Sequence, residues 1–307
     1  MMINFLKHKN IFLIFSLVIM IACAALMVIW PLKPSIELTG GSVLELKYEG
    51  DRPSSQTIQE KLKDLKLQDV IIQQVDDKGV VIRMQSDSED IHQNVIQALN
   101  DTGKFEEMSF EKIGPVVGKE LSQKTFFLVA ASLLAMLVYI AIAFKNVPGP
   151  INSWMYGAAS FLMLAHDVLV PLGVFSVLGH FYGTQITIPV ITALLTVVGY
   201  AINNVIVVYD RSRENLLRAR NANFAEVANL SINQTLSRQI NTSLAVLFPL
   251  FAMYFLSGAA LKYFSLALIL GIITGTYSSI FLATPILVAW LNFRSKKSNG
   301  KKAAKGK

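Results

Sequence analysis

Side chains able to do chemistry are scarce in the apolar stretches of this 307-residue chain, and they gather in three places. His166 and Asp167 lie midway along one stretch. Asn203 and Asn204 lie side by side in the next, which ends in a charged cluster of Asp210, Arg211, Arg213 and Glu214. Lipid solvates neither a carboxylate nor an amide, so these groups must face protein or a water-filled path. A charge at the bilayer centre costs about 2.5–3.5 kcal/mol on insertion scales, so Asp167 is retained for a partner or a path. His166 and Asp167 fit either a polar relay or a bond to a neighbouring helix that carries nothing further. Amides donate and accept hydrogen bonds but cannot titrate, so Asn203 and Asn204 fit a helix–helix contact or a translocation role. The cluster that follows fits ion pairs holding a helix end, or ion coupling.

The elements that position these groups are six segments long enough to span a bilayer. They run from about 11–30, 125–144, 155–179, 186–208, 241–259 and 264–291. A composition of 53% hydrophobic and 16% charged residues, with a mean hydropathy of +0.47, suits a polytopic α-helical membrane protein and excludes disorder. The first segment follows Lys7 and Lys9 and is too long for a signal-peptide core, which makes it a retained helix. Cys23, the sole cysteine, sits inside that helix. It excludes an internal disulfide, and a packed membrane cysteine fits it better than a lipid-anchor site. No Cys/His spacing suggests a metal site, and nothing points to a cofactor.

Charge sets the expected orientation. The N-terminus, Lys145, the arginines from Arg211 to Arg238 (Arg220 among them) and the lysine-rich tail all fall on one side of six spans. The opposite loops hold almost no Lys or Arg apart from Lys262. Both termini are therefore expected in the cytoplasm. Trp30, Trp154 and Trp290 sit at expected helix ends, as interfacial rings do. Seventeen of the 21 acidic residues fall between Pro31 and Ser122, so the +7 total sums two environments. Nucleic-acid binding is not expected, because the basic residues flank apolar segments.

The boundaries are residues 1–30 for the N-terminus and first helix, 31–124 for an outward domain, 125–291 for helices two to six, and 292–307 for a basic tail. The domain reads βαββαβ, the ferredoxin-like order. Val43–Tyr48 alternates like a strand, and Ile58, Leu62 and Leu65 have helical spacing behind a Ser54 or Ser55 cap. Two β-branched runs meet at Asp76–Gly79, Ile91, Val95 and Leu99 mark a second helix, and Phe105–Phe110 a last strand. His92, among polar neighbours, is expected on the surface. Residues 220–239 read as an interfacial helix leading into the fifth span, with Gln234 and Arg238 as its buried polar residues. Pro171, Pro189, Pro249 and Pro285 imply kinks, and Gly271 and Gly275 form a GxxxG packing face. The tail reads as flexible, free to touch anionic lipid or RNA.

Five motifs in order carry a family resemblance: Ser35-Ile-Glu-Leu-Thr-Gly40-Gly41 after the first span, Ile113-Gly-Pro-Val-Val-Gly-Lys-Glu-Leu121 before the second, Ala165-His-Asp-Val168 in the third, Asn233-Gln-Thr-Leu-Ser-Arg238 at the fifth, and Gly275-Thr-Tyr-Ser-Ser279 in the last. The sequence resembles the SecF family of bacterial protein export, within the resistance-nodulation-division superfamily. The resemblance implies a heterodimer with SecD beside the SecYEG channel, with YajC as a further partner. It also implies preproteins as cargo, the proton-motive force as drive, and a bacterial cytoplasmic membrane location. It implies no enzyme activity, and no Gly-x-Ser-x-Gly, His-Glu-x-x-His or paired mid-membrane aspartates suggest one. One departure matters. The family's fourth-span Gly-Tyr-Ser-Ile-Asn-Asp ends in an aspartate implicated in proton movement, and Asn204 occupies that position. Ion coupling then passes to Asp167, Asp210 or an acid of SecD, with His166, Asn204 and Arg238 as further candidates, or the coupling ion differs. The competing reading is a half-size exporter of small molecules or lipids working as a homodimer.

Overall fold

The computed structural model describes residues 2–65, 67, 70–75, 77–86, 88–145, 151–218 and 223–305. They divide into two compact units.

One unit comprises Leu26–Val129 with Val174–Ile191. Its sheet holds β1 (Gly41–Tyr48), β2 (Ile71–Val75), β3 (Gly79–Met84) and β4 (Phe105–Ile113), antiparallel throughout in the order β2-β3-β1-β4. With α3 (Ser55–Lys63) and α4 (Glu89–Leu99) this is the ferredoxin-like arrangement. The core follows from two periodicities. Leu44, Leu46 and Tyr48 of β1 and Val80, Ile82 and Met84 of β3 alternate inward, and meet Ile58 and Leu62 of α3 and Val95 and Leu99 of α4, each pair one turn apart. Ser54 is the helix cap, its Oγ accepting from the Thr57 amide at 3.1 Å. Val75 pairs with Gly79 across the expected hairpin; Asp76 lies outside the described residues. His92 departs from expectation. It is buried, its ring stacked on Phe110 with centroids 3.9 Å apart and its Nε2 3.1 Å from Glu107. The imidazole shields the ring of Phe110 on β4, a use of His as an aromatic that polar neighbours in sequence do not reveal.

Before the sheet, a single turn, α2 (Ile36–Thr39), ends in Gly40 and Gly41 at φ +82° and +130°. A Cβ on Gly40 would lie 2.7 Å from the Cα of Pro115, and one on Gly118 would lie 2.4 Å from the Gly40 nitrogen. The two glycine motifs flanking the domain in sequence therefore touch backbone to backbone. Helix α5 (Pro115–Ala143) starts at this contact, well before its apolar run, with proline in the first-turn position that suits it.

The second unit comprises Met1–Ala25, Ala130–Gly173 and Thr192–Lys307. The helices are α1 (Lys9–Ile29), α5, α6 (Ser153–Tyr182), α7 (Ile188–Arg218), α8 (Phe224–Leu256) and α9 (Ala259–Ser278), the last followed by a π-helical turn (Ser279–Ala283) and α10 (Thr284–Lys305). Six stretches are long and apolar enough to cross a membrane. Those of α6, α7 and α9–α10 are 44%, 50% and 61% buried, whereas those of α1, α5 and α8 are 11%, 6% and 17% buried, so the former three are the enclosed helices. Cys23 packs on Gly173, where a Cβ would come within 2.6 Å of its own.

Two expectations change here. Among the described residues no separate interfacial helix precedes the fifth span: α8 runs unbroken from the Asn223 cap to Leu256. Arg220 lies outside the described residues. Helices α6 and α8 continue through Pro171 and Pro249. The backbone of the tail stays helical to Lys305, as its lysines and alanines favour; Lys307 lies outside the described residues.

Candidate functional site

The polar centre of the membrane helices is built on four consecutive residues of the last span. Thr276, Tyr277, Ser278 and Ser279 each bond a different residue on a neighbouring helix. Ser278 Oγ donates to Asp167 Oδ2 of α6 at 2.6 Å. The Tyr277 hydroxyl lies 3.1 Å from Ser16 Oγ of α1. Ser279 Oγ donates to Gln239 Oε1 of α8 at 2.7 Å. Thr276 Oγ1 lies 2.6 Å from Ser243 Oγ of α8, which accepts from the Tyr200 hydroxyl of α7 at 3.0 Å. Since Thr276 Oγ1 donates to the Ile272 carbonyl at 2.7 Å, Ser243 is the donor to Thr276. Tyr200, Ser243 and Thr276 thus form a chain with one direction of donation. A second runs from Ser279 through Gln239 and Thr235 to the Ser231 carbonyl.

Successive helical residues point about 100° apart, which is how four neighbours reach three helices. The π turn follows directly, and Pro285 follows it. A proline has no N–H to return to the preceding turn, so the ladder loosens there. Glycine brings the helices close enough. A Cβ on Gly271 would lie 2.2 Å from Val197 Cγ2, and one on Gly275 would lie 3.1 Å from the Ala201 Cβ and 3.6 Å from Asp167 Oδ2. The GxxxG face therefore packs α9 onto α7 and lays it beside the carboxylate.

Asp167 is fully buried and also meets Nδ1 of His166 at 2.9 Å. His166 is buried, and its Nε2 has no partner among the described residues. Asn204 is buried, with an amide nitrogen likewise unpartnered among the described residues. Asn203 is exposed on this chain, on a different side of α7 from Asn204. Adjacent positions on one helix cannot share a face.

At the charged end of α7, Arg211 Nε donates to Gln234 Oε1 at 2.6 Å, and Asn215 Nδ2 donates to Ser231 Oγ and Gln234 Oε1, both at 2.9 Å. Glu214 accepts from Arg211 and, at 2.6 Å, from Arg218, while Arg213 lies 3.8 Å from Asp210. Gln234 and Arg238, expected buried, are exposed, and Gln239 is the buried amide, one step further round the helix. Arg238 instead lines a cleft of about 470 Å³ with Asp210, Arg211, Arg213 and Glu214. Sequence reasoning missed Ser243, Gln239 and the separate duties of residues 276–279. It also missed Asn229 and Asn233, which hold the backbone of Ile3 and Phe5 with four bonds of 2.8–3.1 Å. The signal was present: a run of four hydroxyl residues inside an apolar span, and two asparagines one turn apart.

A chain with six membrane-spanning helices, a ferredoxin-like domain inserted after the first, and a hydroxyl–carboxylate cluster among the enclosed helices is a multi-pass transport-type membrane protein. The family described as "Protein export membrane protein SecD/SecF, C-terminal" matches residues 94–293. The protein translocase subunit SecF of Thermobaculum terrenum is 35% identical over 95% of both chains, and that of Anaerolinea thermophila 34% over 94% of both. The crystal structure of SecDF, a translocon-associated membrane protein from Thermus thermophilus, matches 95% of this chain at 33% identity with a TM-score of 0.85. The match takes up 39% of that longer chain. The chain belongs to the SecD/SecF family of protein-export membrane proteins.

Proposed function

We propose that the chain is an auxiliary subunit of the Sec translocase. It pairs with a SecD subunit and assists preprotein export across a bacterial cytoplasmic membrane at the expense of the proton-motive force. One structural observation carries the pairing. On α7, Thr196, Asn203, Asp210 and Arg213 are exposed, and Gly199 and Ile206 between them are half-exposed. Their alternating spacing of three and four is the seam of a packed helix pair, small and polar where lipid would favour the reverse. An amide in hydrocarbon needs a partner, and Asn203 finds it on a second subunit. That SecDF holds a match to almost this whole chain within about two fifths of its length supports SecD as that subunit.

In this reading both termini are cytoplasmic and residues 31–124 face outward, with SecYEG and YajC as neighbours. The chain's own part is mechanical and ion-coupling rather than enzymatic. Asp167, His166, Asp210, Arg238 and Asn204 remain the ion-coupling candidates, the first two within the helix packing and Asp210 and Arg238 at its charged end. A homodimeric exporter is disfavoured by relatives that are translocase subunits. The test is mild-detergent purification of the tagged chain with mass spectrometry of what accompanies it, and cysteine cross-linking from Asn203→Cys. Recovery of a SecD-like subunit, cross-linked through position 203, is the expected result. Recovery of the chain alone, or a 203–203 homodimer, overturns the pairing.

A further inference from the structure

We infer that the corner joining α6 to α7 is built into the ferredoxin-like domain as one rigid joint, and that the motif Ser35–Gly41 is the piece that makes it so. Movement of the two helices that carry Asp167 and Asn204 reaches the domain through this joint. The corner is short. Helix α6 ends at Tyr182, Gly183 turns at φ +66°, and α7 begins at Ile188. Thr184, Gln185 and Ile186 between them are buried, although a connection of this kind normally runs over the surface.

The stretch that leads from α1 into the sheet is bonded to this corner. Ile186 forms a parallel bridge with Pro34: its amide donates to the Lys33 carbonyl at 2.8 Å, and its carbonyl accepts from the Ser35 amide at 3.0 Å. Two residues further along each strand, Glu37 Oε2 accepts from the Ile188 amide at 2.6 Å. A Cβ on Gly183 would lie 3.3 Å from Cγ2 of Ile71, the first residue of β2. Helix α6 is tied in as well. Ser176 Oγ shares its proton between the carbonyls of Leu26, at 3.0 Å, and Trp30, at the end of α1. His180 stacks on Trp30, with ring centroids 4.7 Å and planes 12° apart.

The same motif grips the domain at its other end. Gly40 abuts Pro115 and Gly118 at the start of α5, and a Cβ on Gly41 would lie 2.5 Å from the Met84 carbonyl oxygen on β3. Between the two ends, Thr39 Oγ1 shares its proton between the Ser35 and Gly40 carbonyls, each at 3.1 Å, which closes the turn of α2 on itself. The motif thus holds the α6–α7 corner on one side and β3 and α5 on the other. Main-chain pairing and close glycine contacts carry most of this, so little is left for side-chain rotation to absorb. That a gradient drives the movement rests on the translocase reading above; the joint itself does not.

The experiment compares E37A with E37Q, which keeps the acceptor oxygen, and with a P34C/I186C pair in a C23A background. Hydrogen exchange of the complex in lipid nanodiscs is read by mass spectrometry. E37A is expected to accelerate the peptides covering 33–41 and 183–190 together, about tenfold, and E37Q to leave both near wild type. No acceleration, or acceleration confined to 183–190, makes the corner an independent element and overturns the inference. In cells, the P34C/I186C disulfide is expected to form on mild oxidation and to leave gradient-dependent export intact, because this pairing stays closed throughout the cycle. E37A is expected to lose the gradient-dependent part of export while still co-purifying with its partner. A disulfide that does not form, export that stops until the disulfide is reduced, or full export by E37A with both peptides accelerated overturns the joint as the route. If wild-type export shows no gradient dependence, the translocase reading fails and the exchange data still decide the joint.

Discussion

Ser278 and Ser279 differ by one position and serve different helices, and the same holds for Asn203 and Asn204. At this scale burial and hydrogen-bond supply decide the outcome. Ser278→Ala removes a donor from a fully buried carboxylate. An unsatisfied buried group costs on the order of 1–3 kcal/mol, more when charged, so a lower unfolding temperature of the purified chain is expected. Ser237→Ala, on the exposed side of α8, is the control and should leave it unchanged. Asn204→Asp introduces a titratable group at this buried position, and is expected to alter the pH and sodium dependence of export. Identical responses in both forms would argue against a coupling role for position 204. The positions of His166, Asp167 and Asn204 inside the helix packing were legible in the sequence, because an ionisable or amide side chain in hydrocarbon has few places to go. The face that each one takes was not. That depends on helix rotation, which long helices of nearly uniform hydrophobicity do not encode: on α8 Gln234 and Arg238 are exposed, and Gln239 is buried.

Elements meet where glycine allows it. Gly271→Ala puts a methyl group 2.2 Å from Val197, and overpacking of this kind costs about 1–3 kcal/mol. Gly157→Ala, also in a helix but with no atom within 4 Å of the added carbon, is expected to be neutral or stabilising by up to about 1 kcal/mol. Thermal unfolding of both variants in one detergent checks the contrast. A similar contact joins the motif around Gly40 to the start of α5, and Gly118→Ala should disturb it for the same reason. Glu37 adds a further link: its Oε2 accepts from the amide of Ile188, the first residue of α7, at 2.6 Å. Glu37→Ala removes this bond at the helix N-terminus, an expected loss of about 0.5–2 kcal/mol by the same assay. The ferredoxin-like order was legible because strand alternation and helix spacing differ so plainly in Val43–Tyr48 and Ile58–Leu62. The helix ends were not, because α5, α7 and α8 extend well beyond their apolar runs, carried by polar residues that are good helix formers.

For the whole molecule, the family assignment places the chain within a larger machine. SecDF carries in one polypeptide what this chain matches over about two fifths of its length. Replacing the α7 seam, for example Thr196→Leu with Asn203→Leu, should abolish co-purification with a SecD partner while leaving the folded chain in the membrane. Retained partner recovery would place the interface elsewhere.

The run from Thr276 to Ser279 also has a genetic consequence. Because four adjacent positions bond α1, α6 and α8, and reach Tyr200 of α7 through Ser243, a slip of the last span by one residue misplaces all four bonds at once. Loss-of-function alleles in this run should therefore be rescued by second-site changes scattered across the partner helices, at Ser16, Ser243 or Gln239. Pairs of such alleles should combine with strong epistasis instead of adding.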